Sequence, residues 1–526
     1  MVKIGIYDRY LSTIGGGERY SCKAAEILSG QKDYEVDLLT DLYVDLDKVS
    51  GQLNLDLSRV NLKIFPFISP DYAQGITKEY DLFINATYLS SLPAFGRRNL
   101  YLCYFPTPFD VDFTRLHRFL LMSRPLASAL YGIGNRWCNG FRDIDICRGV
   151  YEPKRFLLGR GSWSSGDAEI DFSGSSIRLG LKNPSSSPLD KMDVRVIACN
   201  RENQVFSREM ELGRGQAGTM DIPSQEGPVR VRITSDTFQP GGADTRRLGA
   251  VLYEKGKKNI AKKMLLKALG YIPLFVLTYP RDLGFLDTYQ GIIAISSYTQ
   301  KWIKEFWKKE SMLLFPPVDT HEFVPGQKKD IILTVGRFFP EHHNKKQLEM
   351  ARAFKGLCQR FPGLMQGYSL YMAGGLSDKK EHADYVAAVR EEARGYPVKI
   401  IPNAGYRQLK ELFSVSRIFW HAAGMGEDEK RHPEKFEHFG ITTVEAMAAG
   451  CIPVVIDKGG QKEIIRDGTD GFLFRDEGEL KSITVDIIKG KYDCQALQAS
   501  ARKRSGMFSS ENFAGRLIDI VRAQLK

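Results

Sequence analysis

The stretch from Glu437 to Gly460 constrains the fold of this chain more than any other feature. It combines the glutamates Glu437 and Glu445 with a run of small residues, an apolar strand at 452–456, and the glycine pair Gly459-Gly460. A short apolar strand that follows a helix is typical of a parallel sheet covered on both faces. Such sheets bind ligands outside the carboxyl ends of their strands, where helix N-termini attract anions. The pattern therefore predicts an α/β domain with an anion site.

The order and spacing of these residues resemble the donor site of retaining glycosyltransferases of the GT-B fold, specifically glycosyltransferase family 4 (group 1). In that family, two glutamates with this spacing hold the sugar nucleotide. The resemblance implies that Glu437 lies near the sugar hydroxyls and phosphate and that Glu445 binds the ribose. It further implies that the backbone of Phe439, Gly440 and Ile441 faces the diphosphate and sugar, and that Gly459 and Gly460 line the same cleft.

A structural alternative exists for the second glutamate. Thr442-Thr443-Val444-Glu445 is also a capping box, in which Glu445 would satisfy amide groups at the start of a helix. The two interpretations are compatible, because a capped helix start is also a suitable place to hold a ribose or a phosphate.

Cations that could hold a diphosphate follow the strand 331–335. Arg337 lies at the strand end, and Lys345 and Lys346 come just before a helix. Arginine offers a planar fork to phosphate and lysine offers a mobile point charge. In family 4, one Arg and one Lys at matching places stabilise the departing diphosphate without a metal. Arg337 matches, and Lys345 is our choice for the lysine, with Lys346 as the alternative. A solvated basic helix start would explain the same residues without function.

A glycine loop, Gly15-Gly16-Gly17, follows the first strand at 2–7. Glycines allow close approach of a ligand to the backbone, and the following helix start presents amide groups. The loop lacks the third glycine of a dinucleotide fingerprint, which argues against a nicotinamide-dependent enzyme. In GT-B enzymes the equivalent loop faces the donor phosphates. The alternative is a tight turn between strand and helix.

Length and composition bound the remaining possibilities. A chain of 526 residues needs two or three domains. Eight scattered cysteines without a Cys-x-x-Cys pair suit a reducing cytoplasm and predict no metal site. The N-terminus runs directly into a strand pattern, which predicts no signal peptide. A net charge of +11 favours anionic partners, but no nucleic-acid-binding motif accompanies it, so we expect no nucleic acid partner.

The pattern of strands and helices predicts two Rossmann-like domains with an all-β sandwich-like insertion in the first. We assign 1–150 and 253–325 to an N-terminal acceptor domain and 151–252 to the insertion. Within the insertion the predicted strands are 168–172, 177–181, 193–198, 229–234 and 248–252. Residues 326–509 form the C-terminal donor domain. By the resemblance, a last helix at 510–526 returns to the N-terminal domain.

Two segments of the first domain mix basic and apolar residues. In 255–278, lysines interleave with apolar residues, and 115–131 contains Phe119-Leu-Leu-Met122. Such segments lie in the interface of anionic membranes. The alternative is that both are core helices whose basic side chains reach out to solvent. If the membrane interpretation holds, the acceptor is a lipid-linked glycan, and the protein is a cytoplasmic enzyme bound peripherally to the inner face of the membrane.

Three other observations bear on the site. Many members of family 4 carry a histidine in the first domain just before a Phe-Pro or Tyr-Pro pair, whereas this chain has Cys103-Tyr104-Phe105-Pro106. The departure leaves open what replaces that histidine, and Tyr104 offers a hydroxyl instead. We expect His421 to be a hydrogen-bonded, partly buried residue rather than a ligand contact. His438 follows Glu437 in the sequence, a position that suits a residue tuning that carboxylate.

The sequence therefore predicts a retaining hexosyltransferase that moves a sugar from a GDP- or UDP-sugar to a glycan or lipid-linked glycan, in polysaccharide or glycolipid biosynthesis. It predicts no cofactor and no metal. A sugar phosphorylase of GT-B fold and a non-catalytic glycan-binding scaffold are the alternatives. The donor base and sugar, the acceptor and linkage, the role of the insertion and the oligomeric state stay open.

Overall fold

The structure is a computed structural model of the 526-residue chain. It describes all residues except 14, 42–43, 65–74, 112, 127–128, 130–143, 152–160, 173–175, 201–202, 224–228, 241–245, 255–275, 277–278, 281 and 342–343. The chain forms two compact units. The first contains Met1–Tyr101 and Pro108–Gln290, and the second contains Leu102–Thr107 and Gly291–Lys526.

The second unit begins earlier than the domain boundary that we assigned at 325. Residues 291–325 belong to it, because backbone hydrogen bonds tie this segment to the end of the chain. The amide of Val318 donates to the carbonyl of Phe508 over 3.2 Å, and the amide of Ser510 donates to the carbonyl of Val318 over 3.0 Å. The predicted contact of the last helix with the N-terminal domain stays a prediction.

The first unit is built on a parallel sheet, as predicted. Its strands are β1 (Val2–Tyr7), β2 (Tyr34–Thr40), β3 (Val60–Ile64), β4 (Leu82–Asn85) and β5 (Arg98–Cys103), in the order β5-β4-β1-β2-β3. Its helices include α1 (Gly16–Ser29), α2 (Leu46–Leu53) and α3 (Arg115–Met122). The direction of winding reverses between β1 and β4. Loops at the carboxyl ends of these two strands therefore occupy the usual ligand position of an open α/β sheet.

An all-β module follows in the same unit. Its strands are β6 (Ile144–Val150), β7 (Ser162–Phe172), β8 (Ser176–Lys182), β9 (Lys191–Asn200), β10 (Asn203–Gly213), β11 (Ala217–Pro223), β12 (Val229–Ser235) and β13 (Val251–Glu254). They pair antiparallel in the order β10-β9-β12-β7-β13-β8-β11, with β6 on β7. Five of the eight strands overlap those that we predicted.

The core of the β module extends into the parallel sheet. Alternate residues such as Ile170, Val196 and Leu179 are fully buried, as expected for strands with one face on a core. The same cluster contains Ile64 of β3, which is 2% exposed. The module therefore shares apolar packing with an edge strand of the first sheet, which explains why both lie in one compact unit.

The second unit contains another parallel sheet. A strand pair, β14 (Gly291–Ala294) and β15 (Met312–Leu313), precedes it. The sheet strands are β16 (Lys329–Val335), β17 (Ser369–Gly374), β18 (Val398–Pro402), β19 (Ser416–His421), β20 (Ile452–Ile456) and β21 (Phe472–Phe474), in the order β18-β17-β16-β19-β20-β21. Buried residues on both faces, such as Ile332 and Val454, match the continuous apolar runs in the sequence.

The described part of the second unit contains ten α-helices. They are α4 (Ser297–Trp307), α5 (Gln347–Arg360), α6 (Pro362–Met365), α7 (Lys380–Glu392), α8 (Tyr406–Val415), α9 (Ile441–Ala448), α10 (Gln461–Ile464), α11 (Glu477–Ile488), α12 (Cys494–Ser505) and α13 (Ser510–Leu525). The alternation of strands and helices with an all-parallel sheet is that of a Rossmann-like domain.

Candidate active site

Glu437 lies at the centre of a charged cluster in the second unit. Its Oε2 atom accepts from Lys345 Nζ over 2.5 Å and lies 2.8 Å from His421 Nε2. Lys345 follows β16 and His421 ends β19, two neighbouring strands, so the sheet itself brings the three residues together. The prediction that His421 is hydrogen-bonded is confirmed, and at 2% exposure it is fully buried.

The cluster keeps Glu437 ionised. Burial acts to raise the pKa of the carboxyl, but the charge of Lys345 and the hydrogen bond from His421 outweigh it and hold the pKa well below its usual range. Because the carboxylate can only accept, Nε2 of His421 carries the proton. The Glu437 side chain keeps 19% of its surface exposed and Lys345 keeps 20%, so both remain open to a ligand.

Lys346 points to a different carboxylate from Lys345. Its Nζ lies 3.1 Å from Glu427, which Lys435 also contacts at 2.9 Å. These residues line a separate cavity of about 330 Å³. The backbone of Lys346 is left-handed, with φ of 61°, so the chain turns sharply between the two lysines. The geometry favours Lys345 over Lys346 as the partner of Glu437.

Arg337 follows β16 by two residues and is exposed. Its guanidinium carbon lies 4.6 Å from the ring centroid of Phe339, an arrangement that orients the side chain by cation–π attraction. A Cβ on the preceding residue, Gly336, would lie 2.7 Å from Cγ of Lys345. The loop that carries Arg337 therefore packs directly against Lys345. No ion pair of Arg337 is found among the described residues.

Helix α9 begins at Ile441, four residues after Glu437. Gly440 is its N-cap, with φ of 124°, and the helix start has no side-chain cap. The capping box that we considered as an alternative for Glu445 is wrong, because Thr442 and Glu445 both lie inside the helix. The backbone amides at the start of α9, beside Phe439, Gly440 and Ile441, have no side-chain cap. They form a positive helix end that can bind an anion. Glu445 is half-buried on this helix.

The glycine pair packs on the glutamate loop. The amide of Gly460 donates to the carbonyl of Glu437 over 2.7 Å. A Cβ on Gly459 would lie 2.5 Å from that same carbonyl, and one on Gly460 would lie 2.6 Å from the carbonyl of His438. Both positions therefore require glycine. The pair fixes the backbone on either side of Glu437.

Gln461 is a candidate site residue that sequence reasoning missed. It is fully buried, and neither polar atom of its amide has a hydrogen-bond partner among the described residues. Its Nε2 lies 2.7 Å from the position that a Cβ on Gly440 would take. An amide left unpaired at a helix start is available to a ligand. A glutamine after two glycines carries no sequence signal of burial, because polar residues are common at such a helix start.

The segment Leu102–Thr107, which contains the Cys-Tyr-Phe-Pro motif, belongs to the second unit. Phe105 stacks on His438 with ring centroids 4.1 Å apart and planes within 8°. Cys103 is buried, and burial raises the pKa of its thiol, so it is a protonated core residue. Burial, Lys345 and His421 are the largest influences on the pKa of Glu437. A tuning role for His438 stays a prediction.

The loop Gly15–Gly17 lies in the first unit, at the start of α1. The amide of Gly15 donates to Glu18 over 2.5 Å, and Ser21 donates to Asp8 over 2.7 Å. Burial, with the nearby charge of Glu18, raises the pKa of Asp8 to about 7. The loop is thus held by two buried carboxyl groups. Its predicted role at the donor phosphates stays a prediction.

Among the described residues, no group of three or more His, Cys, Asp or Glu side chains is arranged to hold a metal ion. In the same part of the chain, every helix is too short or too polar to cross a bilayer. The segment 255–278 that we considered for membrane contact lies almost entirely outside the described residues.

Comparison with known proteins shows what part of this chain is similar to. Residues 319–504, which contain Arg337, Lys345, Glu437 and Glu445, match the family described as glycosyl transferases group 1. In overall fold, the chain is similar to HepE of Anabaena, solved with UDP and glucose. The TM-score is 0.51, the sequences are 11% identical, and the alignment covers 99% of this chain and 100% of that one. The chain therefore has the GT-B fold of glycosyltransferases.

Among curated relatives, the chain is similar to the GDP-Man:Man(3)GlcNAc(2)-PP-Dol alpha-1,2-mannosyltransferase of Dictyostelium discoideum, with 26% identity over 44% of this chain and 46% of that protein. The Homo sapiens protein of the same name is 26% identical over 47% of this chain and 50% of its own length. The chain spans about half the length of the curated relatives it matches.

Proposed function

We propose that this protein is a retaining hexosyltransferase that moves a sugar from a nucleotide-sugar donor to a glycan or lipid-linked glycan. The observation that carries the proposal is the cluster of Glu437, Lys345 and His421 beside the uncapped start of α9. A partly buried ion pair adds little to stability, because the desolvation of its two charges offsets their attraction, so ligand binding explains the cluster better than folding does. The names of the relatives favour GDP-mannose as donor and a polyprenyl-diphosphate-linked oligosaccharide as acceptor.

In the proposed reaction, the leaving group is a nucleoside diphosphate whose negative charge grows in the transition state. Arg337, Lys345 and the amides at the start of α9 stabilise that charge, because they are oriented before the reaction begins. Glu437 holds Lys345 in place and accepts hydrogen bonds from sugar hydroxyls. Glu445 binds the ribose, and the unpaired amide of Gln461 supplies a further contact to the donor. No metal takes part, so we expect transfer to continue in EDTA.

The donor site is tested by thermal unfolding with GDP, UDP and their sugars, on wild type and Arg337→Ala. A hundredfold excess over the dissociation constant stabilises a protein by about 2.7 kcal/mol. We expect one base to stabilise wild type and to lose its effect in Arg337→Ala. The matched control is Arg360→Ala, because Arg360 also lies over a phenylalanine ring, at 5.4 Å from Phe361.

Three outcomes contradict the proposal. If no nucleotide stabilises the protein but a sugar phosphate does, the phosphorylase alternative is correct. A shift with free glycans alone supports the non-catalytic scaffold. Finally, if Arg360→Ala and Arg337→Ala weaken nucleotide binding equally, Arg337 has no special place in the donor site.

We also propose that the protein works in the cytoplasm, on the inner face of an anionic membrane, because its charge is +11 and a lipid-linked acceptor has to be met at a bilayer. Fractionation of cells that express the full chain tests this proposal. The protein should sediment with membranes and be released by high salt, since attraction of exposed charges to anionic lipid is screened by salt.

A further inference from the structure

Helix α3 (Arg115–Met122) exposes its large apolar residues. Leu116 is 63% exposed, Phe119 is 67% and Met122 is 77%, and Leu126 in the next turn is 65% exposed. Ten large apolar residues are exposed in the described part of the chain, and these four lie within eleven residues. The other six are scattered, as single exposed apolar residues usually are.

The exposed residues share one side of the helix. Leu116, Phe119 and Met122 are spaced three residues apart, and residues with this spacing are neighbours on a helix surface. No residue of α3 is buried. The alternative that we considered for this segment, an ordinary core helix, is therefore wrong.

The helix is well formed despite this exposure. Thr114 Oγ1 accepts from the amide of His117, and Nδ1 of His117 accepts from the amide of Thr114, both over 3.3 Å. These two bonds form a capping box. The ring of His117 also packs edge-on against Phe113, which lies 5.5 Å from Tyr279. The exposed stripe thus belongs to an anchored element.

The charge of this segment indicates which partner surface fits the exposed side of α3. Residues 113–142 contain five arginines and neither aspartate nor glutamate. Arg115 is exposed beside the stripe, and Arg118 is 65% exposed, in a surface pair with Asp110. A helix with an apolar side and basic flanks is the kind that lies in the interface of an anionic bilayer.

We propose that α3 is a membrane-contact helix, which inserts Leu116, Phe119 and Met122 into the headgroup region of an anionic bilayer while its arginines bind lipid phosphates. The proposal deepens the proposed function, since it names the surface that brings the enzyme to a lipid-linked acceptor. Its failure is separable from failure of the donor site, because vesicle binding and nucleotide binding are measured independently.

The test is flotation with vesicles that carry 30% phosphatidylglycerol or only phosphatidylcholine. We expect wild type to bind the anionic vesicles at least about tenfold more tightly. The combination of Leu116→Ser, Phe119→Ser and Met122→Ser should weaken that binding by about tenfold or more. It should leave stabilisation by the donor nucleotide unchanged. The control combines Val324→Ser and Met507→Ser, because these residues belong to the second unit and are 63% and 54% exposed.

Hydrogen exchange on unaltered protein supplies a second measurement, which does not depend on how the variant folds. Amides in 115–126 should gain protection when anionic vesicles are added. Equal vesicle binding by wild type and the triple variant, or no added protection in 115–126, would overturn the proposal. So would a wild-type dimer that the triple variant converts to a monomer without any vesicle binding, since the stripe would then contact a second copy of the chain.

Discussion

Asp8 in the first unit is a buried carboxyl group and Glu437 in the second is a partly buried one, and both lie near the carboxyl ends of parallel strands. Their pKa values are shifted in opposite directions. Burial together with the charge of Glu18 raises the pKa of Asp8 to about 7. The pKa of Glu437 is held well below its usual range, because Lys345 and His421 outweigh the effect of burial.

The difference shows that the partners of a buried carboxyl group, rather than its burial, decide its charge. Asp8 accepts from the Ser21 hydroxyl and the Tyr10 amide, which are neutral donors. Such a group fixes a loop without holding a cation in place. Glu437 instead holds Lys345 beside a helix start without a side-chain cap. In the proposed reaction, this positive charge is oriented before the diphosphate binds. We therefore propose anion binding for the second unit and a positioning role for Asp8.

The largest expected effect is that of Glu437→Gln, which keeps the shape of the side chain and removes its charge. Lys345 and His421 lose their charged partner, so the cation is no longer fixed for the transition state. We expect the rate of sugar transfer to fall by about 100- to 1000-fold, the usual cost of losing one oriented electrostatic contact. The measurement is kcat with the nucleotide sugar that stabilises the wild type.

The matched control for this change is Glu427→Gln. Glu427 also contacts two lysines, Lys346 and Lys435, but lines the separate cavity. We expect its rate to stay near that of wild type. A fully active Glu437→Gln enzyme, or an equal loss in both variants, would show that the Glu437 cluster is structural.

Replacing either of the two adjacent lysines tests the role of the Glu437 cluster again, with a smaller expected loss of activity. Lys345→Ala removes the cation that contacts Glu437, and we expect kcat/KM to fall by about 10- to 100-fold. Among the residues that the structure describes, Lys346→Ala breaks the ion pairs with Glu427 and Glu349. It should leave kcat/KM close to that of wild type. A larger loss in Lys346→Ala would show that our choice between the two lysines is wrong.

The sequence predicted those parts of the fold that leave a local pattern. β1 and β20 were predicted with their observed limits, since β20 is a continuous apolar run and Lys3 is the one charged residue of β1. β10 and β11 were missed. Both are end strands of the antiparallel sheet, and β10 places charged residues such as Glu209 and Glu211 on its outer side. End strands often carry charge that prevents edge-to-edge pairing, and this weakens the alternating pattern.

In the candidate site, the residue types were predicted but several contacts were not. The bond between His421 and Glu437 joins residues sixteen positions apart, and no local period encodes it. The opposite directions of Lys345 and Lys346 depend on one left-handed residue, which the lysine sequence does not signal. Gln461 became a candidate only from its burial. Long-range packing therefore decides which of the predicted charges meet.

The last expected effect is on the stability of the first unit as pH changes, rather than on the rate of sugar transfer. Between the usual pKa of Asp8, 3.8, and its folded value of about 7, the folded chain holds a proton that the unfolded chain releases. The free energy of unfolding should therefore fall as pH rises through this range, by about 1.4 kcal/mol per pKa unit at most. Asp8→Asn removes this dependence, so the variant should gain stability relative to wild type between pH 5 and pH 8.

Urea unfolding measures the gain, and Asp190→Asn is the control, because that side chain is 92% exposed. Parallel pH profiles of Asp8→Asn and wild type would mean that Asp8 is ionised in the folded chain, and the contrast with Glu437 would then disappear.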